Sequence, residues 1–328
     1  MSNKKLAVIM DPIQNIKPHK DSSLAMLLEA QTRGFEIYCG DLADIWLDGA
    51  VPRGRLTKLK VFDDTADWFE SVDSVEFDLG DLDVILMRKD PPFDIQYVFS
   101  TYVLDQAERR GTLIVNRPQG LRDANEKAST VWFPDCIPAT LISRSRQEMQ
   151  KFLTIHKRVV VKPLDLMGGR SVFTTDIKDG NQNVIFETVS DYGRKYTVLQ
   201  QYIPEITESG DRRILLIDGE PIPFALARIP APGDHRGNMD AGARVEVNAL
   251  TDREWSICKQ IGPTLREKGL LFVGIDVIGN FMTELNVTSP TGIRELQRET
   301  GIPIAEKLFD SIESHCQSTS KTSPRSVL

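Results

Sequence analysis

Short apolar runs bounded by turn residues alternate with helical periodicity over the first third of the chain. Residues 6–10 are uninterruptedly apolar and stop at Asp11-Pro12, which predicts a buried strand. Residues 22–33 carry Leu24, Leu27 and Leu28 at helical spacing and are followed by Gly34, a usual place for a helix to stop. Strands are predicted over 35–39, 83–88 and 112–116, with a helix over 97–110 that Gly111 closes. Strand and helix in alternation imply parallel strands with helical crossovers, so residues 1–122 are expected to form an open α/β domain. Ligands of such sheets lie beyond the strand ends, here near Asp11 and Arg88.

After residue 122 the pattern changes. Asp123-Ala-Asn-Glu126 has the spacing of a capping box and predicts a helix with Lys127 one turn in. Strands over 159–162, 171–175 and 197–203, with a helix over 183–192, make a small unit expected to span 123–203. The apolar arms 213–217 and 221–228 flank Asp218-Gly219, a strong hairpin signal. Thr251 and Glu254 box a helix over 251–268, which Gly269 ends before a strand over 271–277. Residues 204–316 are expected to form a third unit, and 317–328 a disordered polar tail. The fold class is mixed α/β.

Composition narrows the partners. Forty basic against forty-seven acidic residues give a net charge of −7, with no basic run to serve a nucleic acid. No segment has the length to cross a bilayer, and the apolar run near the start is too short for a signal peptide, so a cytoplasmic protein is expected. Cys39, Cys136, Cys258 and Cys316 are widely spaced, which suggests neither a zinc site nor a disulfide framework.

The chemistry concentrates near the C-terminus. In residues 273–290, two apolar stretches carry Asp276, Glu284 and Asn286. With Gly279-Asn280-Phe281 as the connection, Asp276 faces Glu284 across the strand pair and Asn286 shares that face, giving three oxygen donors suited to Mg2+. A two-residue turn would put the two acids on opposite faces. Lys162 ends an apolar strand just before the Gly168-Gly169 loop, so with Lys127 it forms a candidate phosphate site; the G-x-x-x-x-G-K-[ST] loop is absent. A hinge near Gln200, Tyr202 and Ile203 has the character of a purine wall. Arg213 and Arg228, on the two hairpin arms, can clamp a phosphoryl group or a carboxylate. Residues 230–244, glycine-bearing and long, read as a lid, with His235 as an ordinary loop residue.

In this order the parts resemble the ATP-grasp family: Asn125-Glu-Lys127, Val161-Lys162-Pro163 with Gly168-Gly169, the hinge, then Asp276, Glu284 and Asn286. More closely, the stretches 10–13, 21–23, 84–94, 111–116, 226–230 and 286–291 are similar to glutathione synthetases of the bacterial type. That resemblance implies an N-terminal parallel-sheet domain followed by a two-lobed ATP-grasp fold. It implies ATP-dependent ligation of γ-glutamylcysteine with glycine through an acylphosphate, with two Mg2+ ions, for which Mn2+ can substitute. Lys127, Lys162, Gly168, Gly169, Gln200, Tyr202, Ile203 and Asp211 would bind the nucleotide, and Asp276, Glu284 and Asn286 the metal. Arg213 and Arg228 would be catalytic; Asp11, Arg88, Arg236, Ser289 and Thr291 would face the substrate. A homotetramer is implied too. Leu166, Arg170 and Ala243 stand where relatives carry smaller residues, which implies stiffer loops. Another ATP-grasp ligase, or an ATP-binding regulator without catalysis, is the alternative; a regulator would be expected to have lost a metal carboxylate or a phosphate lysine.

Overall fold

The computed structural model describes residues 4–230 and 244–322. Three sheets follow one another along the chain. The first contains β1 (Lys5–Ile9), β2 (Glu36–Gly40), β3 (Ile45–Asp48), β4 (Val51–Val61), β5 (Phe69–Asp78), β6 (Val84–Met87) and β7 (Leu113–Val115). Its order is β3-β4-β2-β1-β6-β7, with β5 paired to β4. Strands β2, β1, β6 and β7 are parallel, as the alternation predicts, and α1 (Ser22–Thr32) and α2 (Ile95–Arg109) cross over between them. Asp21 and Asp94 cap these helices with their side chains.

The antiparallel extension β3–β5 is not among the predicted elements. Its outermost strand is FESVDSVEFD, mostly exposed, so no apolar run marks it. A second difference lies at residue 123. Helix α3 (Pro118–Asp123) ends there instead of beginning, with Pro118 in its first turn. The cap belongs to Asn125, whose Oδ1 accepts from the Lys127 and Ala128 amides and starts a short 3-10 turn. The Glu126 carboxylate accepts instead from Thr288.

The second sheet has the order β10-β9-β11-β8 and is antiparallel: β8 (Thr140–Ser143), β9 (Arg158–Pro163), β10 (Phe173–Asp176) and β11 (Thr197–Gln201). Helices α4 (Arg146–His156) and α5 (Gln182–Val189) cover one face through Met149, Leu153, Val159, Val161, Phe186 and Leu199. Because side chains alternate along β9, Val160 and Lys162 point the other way, into the cleft described below.

The third sheet, order β14-β13-β12-β15-β16, is also antiparallel: β12 (Asp211–Ile217), β13 (Glu220–Ile229), β14 (Arg244–Ala249), β15 (Phe272–Ile278) and β16 (Phe281–Asn286). Asp218 and Gly219 both have positive φ, 49° and 74°, the backbone of a type I′ hairpin. Helix α6 (Asp252–Glu267) starts at the expected capping box of Thr251 and Glu254. Helices α7 (Ile293–Thr300) and α8 (Ile304–Thr322) complete the described residues, so the expected tail is helical as far as Thr322.

Buried residues tie the first and third sheets together. One cluster joins Leu6, Val8, Leu24, Leu27 and Val84 to Leu215, Phe272, Leu296 and Phe309. Asn116 pins the same junction: its Nδ2 donates to the Phe272 and Val287 carbonyls, 2.7 Å each, and its Oδ1 accepts from the Phe272 amide at 2.8 Å.

Candidate active site

A cleft of about 490 Å³ opens between the second and third sheets and reaches the strand ends of the first. It brings together Asp11, Lys127, Lys162, Gly168, Gly169, Gln200, Tyr202, Ile203, Asp211, Arg213, Arg228, Asp276, Glu284, Asn286, Ser289 and Thr291. Two sequence candidates are not among them. Arg236 lies outside the described residues, as do His235, Ala243 and most of the expected lid. Arg88 is buried behind the cleft, where Nε donates to Ser23 Oγ and Nη2 to the Pro290 carbonyl, both at 3.0 Å. Arg88 therefore braces the loop that presents Ser289 and Thr291 and does not itself line the cavity.

Strand register assembles the charged face. Arg213 lies opposite Asp276, and Asp276 opposite Glu284, so one row across the sheet reads arginine, acid, acid. Asp211 lies opposite Arg228 in the neighbouring row. Arg213 grips Asp276 with both Nε and Nη2, and Arg228 Nη2 bridges Asp276 Oδ1 at 2.9 Å and Asp211 Oδ2 at 2.5 Å. A Cβ on Gly274 would lie only 3.0 Å from Arg213 Cδ and 2.9 Å from Pro290 Cβ, so this glycine admits the arginine.

The turn between β15 and β16 is Gly279-Asn280, two residues long. A plain ladder from that turn would place Thr283 opposite Asp276. Instead Val277 pairs with Met282 and Asp276 with Glu284, leaving Thr283 as a bulge. The three oxygen-bearing side chains thus share a face despite the short turn. Asn286 Nδ2 donates to Asp276 Oδ2 at 3.3 Å.

The second sheet supplies the cations opposite. Lys162, 4% exposed, donates to the bulged Thr283 carbonyl at 3.1 Å and to Glu284 Oε1 at 3.2 Å. Lys127, 3% exposed, donates to the Leu166 carbonyl at 2.6 Å, which ties it to the glycine loop. Gly168 and Gly169 have φ of 67° and 72°, a backbone that other residues adopt with strain. Val160, Ile203, Ile206 and Ile278 form apolar wall beside Gln200 and Tyr202.

Electrostatics follows from this packing. Burial opposes charge on Asp276, yet Arg213 and Arg228 hold its carboxyl well below the usual range. Glu284 is likewise disfavoured by burial and brought below its ordinary value by Lys127 and Lys162. Asp211 goes the other way: burial raises it to about 7, with Arg228 pulling down and Asp276 pushing up. Among the described residues, Asp211 Oδ1 and Arg228 Nε are buried without a hydrogen-bond partner, which marks polar capacity left for a ligand.

Sequence reasoning missed several groups. Glu126, buried, accepts from Thr288 Oγ1 at 2.7 Å and from its amide at 3.3 Å, while its carbonyl accepts from the Leu285 amide. Its position beside Lys127 was the available signal. Asp90, which accepts from Ser289 Oγ, lies in the 84–94 stretch without having been singled out, and Lys17, Lys20 and Glu295, which also line the cleft, carried no motif.

An antiparallel sheet facing a smaller helix-backed sheet, with paired lysines on one wall and acids and arginines on the other, defines an ATP-grasp ligase. Solved structures agree on the fold. The D-cycloserine synthetase DcsG matches with a TM-score of 0.68 at 13% identity, covering 95% of this chain and 99% of that one. D-alanyl-alanine synthetase A from Vibrio cholerae matches at 0.60 and 12%, covering 97% and 99%. Family models described as prokaryotic glutathione synthetase match over residues 5–122 (N-terminal domain) and 126–301 (ATP-grasp domain). Glutathione synthetase of Escherichia coli (strain K12) is 50% identical over 313 residues, covering 95% of this chain and 99% of that protein. The enzyme of Pseudomonas syringae pv. tomato is also 50% identical, covering 95% and 98%. The chain belongs to the prokaryotic glutathione synthetase family. Its activity is glutathione synthesis, an ATP-dependent formation of a carbon–nitrogen bond.

Proposed function

We propose that the cleft joins γ-glutamylcysteine to glycine through an acylphosphate. A cysteinyl carboxylate oxygen attacks the γ-phosphorus of ATP and ADP leaves; the glycine amine then attacks the acyl carbon, loses its proton, and phosphate departs with the carbon–oxygen bond. In this reading the purine rests against Gln200, Tyr202, Ile203 and Val160, and the phosphates face Lys127, Lys162 and the Gly168-Gly169 backbone. Asp211 orients Arg228. Arg213 and Arg228 meet the negative charge of the carboxylate and the moving phosphoryl group. Asp11, Ser289 and Thr291 line the dipeptide end, with Arg236 in the lid that keeps water from the acylphosphate.

Asp276, Glu284 and Asn286 fit a divalent cation, because three oxygen donors leave a six-coordinate ion places for phosphate oxygens and water. Two Mg2+ ions, replaceable by Mn2+, would neutralise β- and γ-phosphate charge there. Residues 1–122 then serve as the substrate unit, 123–203 as the nucleotide-covering unit and 204–316 as the metal-bearing unit. The family resemblance further supports a cytoplasmic homotetramer.

The observation that carries the reading is the shared face of Arg213, Asp276 and Glu284 opposite Lys162. Purified protein with ATP, Mg2+ and glycine should release phosphate only when γ-glutamylcysteine is added. Dipeptide labelled with 18O in the cysteinyl carboxylate should pass one label to phosphate. Release without dipeptide overturns the substrate, and unlabelled phosphate overturns the acylphosphate.

A further inference from the structure

Three consecutive residues, Asn125, Glu126 and Lys127, hold both walls of the cleft at once. Asn125 Nδ2 donates to the Leu164 carbonyl at 2.9 Å and Lys127 Nζ to the Leu166 carbonyl at 2.6 Å, so the outer two grip the approach to Gly168-Gly169. Glu126, between them, binds the opposite wall. Its carbonyl accepts from the Leu285 amide in β16 at 2.8 Å, and its Oε1 accepts from Thr288 Oγ1 at 2.7 Å and from the Thr288 amide at 3.3 Å. The carboxylate is compensated where it stands: burial disfavours its charge and raises its pKa, and Lys127 and the two Thr288 donors act against that.

Thr288 opens the loop that presents Ser289 and Thr291 to the cleft. Residues 1–122 hold that loop through Arg88, which donates to the Pro290 carbonyl at 3.0 Å, and through Ser22, whose Oγ accepts from the Gly292 amide at 3.1 Å. Glu126 instead joins it to the backbone that carries Lys127. We propose that Glu126 is a positioning residue: acting through Thr288, it fixes the dipeptide-facing loop relative to Lys127, so that the acceptor carboxylate meets the γ-phosphate of ATP in line. The inference rests on the ligation reading above, in which Lys127 faces the phosphates and Ser289 and Thr291 the dipeptide. A misplacement of about 1 Å between reacting groups costs up to about 100-fold in rate and removes no contact to the nucleotide.

The test compares Glu126→Ala, Glu126→Gln, Thr288→Val and the Glu126→Ala/Thr288→Val double variant by dipeptide-dependent phosphate release, at a temperature below the onset of their thermal melts. Glu126→Ala should lower kcat by roughly tenfold or more, with KM for ATP held within about threefold. Glu126→Gln keeps an acceptor for Thr288 and should recover most of that loss, while Thr288→Val, which keeps the amide but not the hydroxyl, should fall between the two. In the double variant the losses should not multiply, because both substitutions break one contact. Multiplying losses, a Glu126→Gln enzyme as slow as Glu126→Ala, or a rise in KM for ATP as large as the fall in kcat overturns the proposal. If Glu126→Ala does not fold, a Thr288→Val enzyme slower than Glu126→Gln supports the proposal and one as fast as the native enzyme overturns it. Phosphate release by the native enzyme without dipeptide overturns the ligation reading itself, and this inference with it.

Discussion

Asp276 and Glu284 stand directly opposite one another, although the two-residue turn that joins their strands would by itself pair Asp276 with Thr283. The bulge at Thr283 resolves this and has a second effect. A residue left out of the ladder keeps its carbonyl free, and Lys162 Nζ uses it while also reaching Glu284. The same irregularity aligns the acids and seats the lysine.

Glu284→Gln keeps an acceptor for Lys162 but removes the charge. Turnover should fall by about 100-fold or more with the thermal melt little changed, since electrostatic stabilisation at a reacting phosphate has that order of effect. Full activity in dipeptide-dependent phosphate release would exclude a metal-binding role for this residue.

Gly274→Ala places a methyl group against Arg213 Cδ and Pro290 Cβ. The arginine must shift from Asp276, and kcat should drop by roughly tenfold or more while KM for ATP changes little, because misplacing one catalytic group costs about that much. An unchanged kcat would mean that Arg213 does not need this seat.

Asn116→Ala removes three hydrogen bonds that join the first sheet to the third. Leaving the Phe272 and Val287 groups unsatisfied should cost about 3 kcal/mol, read as a lower urea midpoint. A shift below about 1 kcal/mol would show that water replaces the amide fully.

The four cysteines should be inert near neutral pH. Burial pushes Cys39 and Cys258 from 9.0 up to about 12 and Cys316 up to about 11, and raises Cys136 as well. Iodoacetamide at pH 7.5 should leave the native enzyme unmodified and active, because the thiolate is the reactive form. A raised folded-state pKa stabilises the protein fully below pH 9.0 and progressively less as pH climbs toward about 12. Cys39→Ser should therefore lose less stability across that interval than the native chain, as measured by thermal melts. Rapid alkylation at pH 7.5, or an equal loss in both proteins, would contradict this.

Much of the architecture is legible in local pattern. The buried strands β1 and β6, the type I′ turn at Asp218-Gly219 and the box at Thr251 and Glu254 depend on neighbours in the chain, and they occur where periodicity and capping rules put them. The misreadings share a cause. At Asp123 a correct spacing for a cap was overruled because Glu126 is claimed by Thr288, 162 residues away. The ribbon of β4 and β5 escaped because β4 interleaves its buried Leu56, Leu59 and Val61 with polar residues and β5 is mostly exposed, so neither carries an apolar run.

The residue types of the site, lysines before a glycine pair, arginines in apolar strands, acids near a turn, are written in the sequence, since burying charge among apolar neighbours needs a reason that composition alone exposes. Their convergence is not. Arg213 meets Asp276 through strand register, Lys162 meets Glu284 across two sheets, and Arg88 is buried against the Pro290 carbonyl. Those outcomes rest on contacts between residues 63 to 202 positions apart, whose geometry no local propensity encodes and only the packed chain decides.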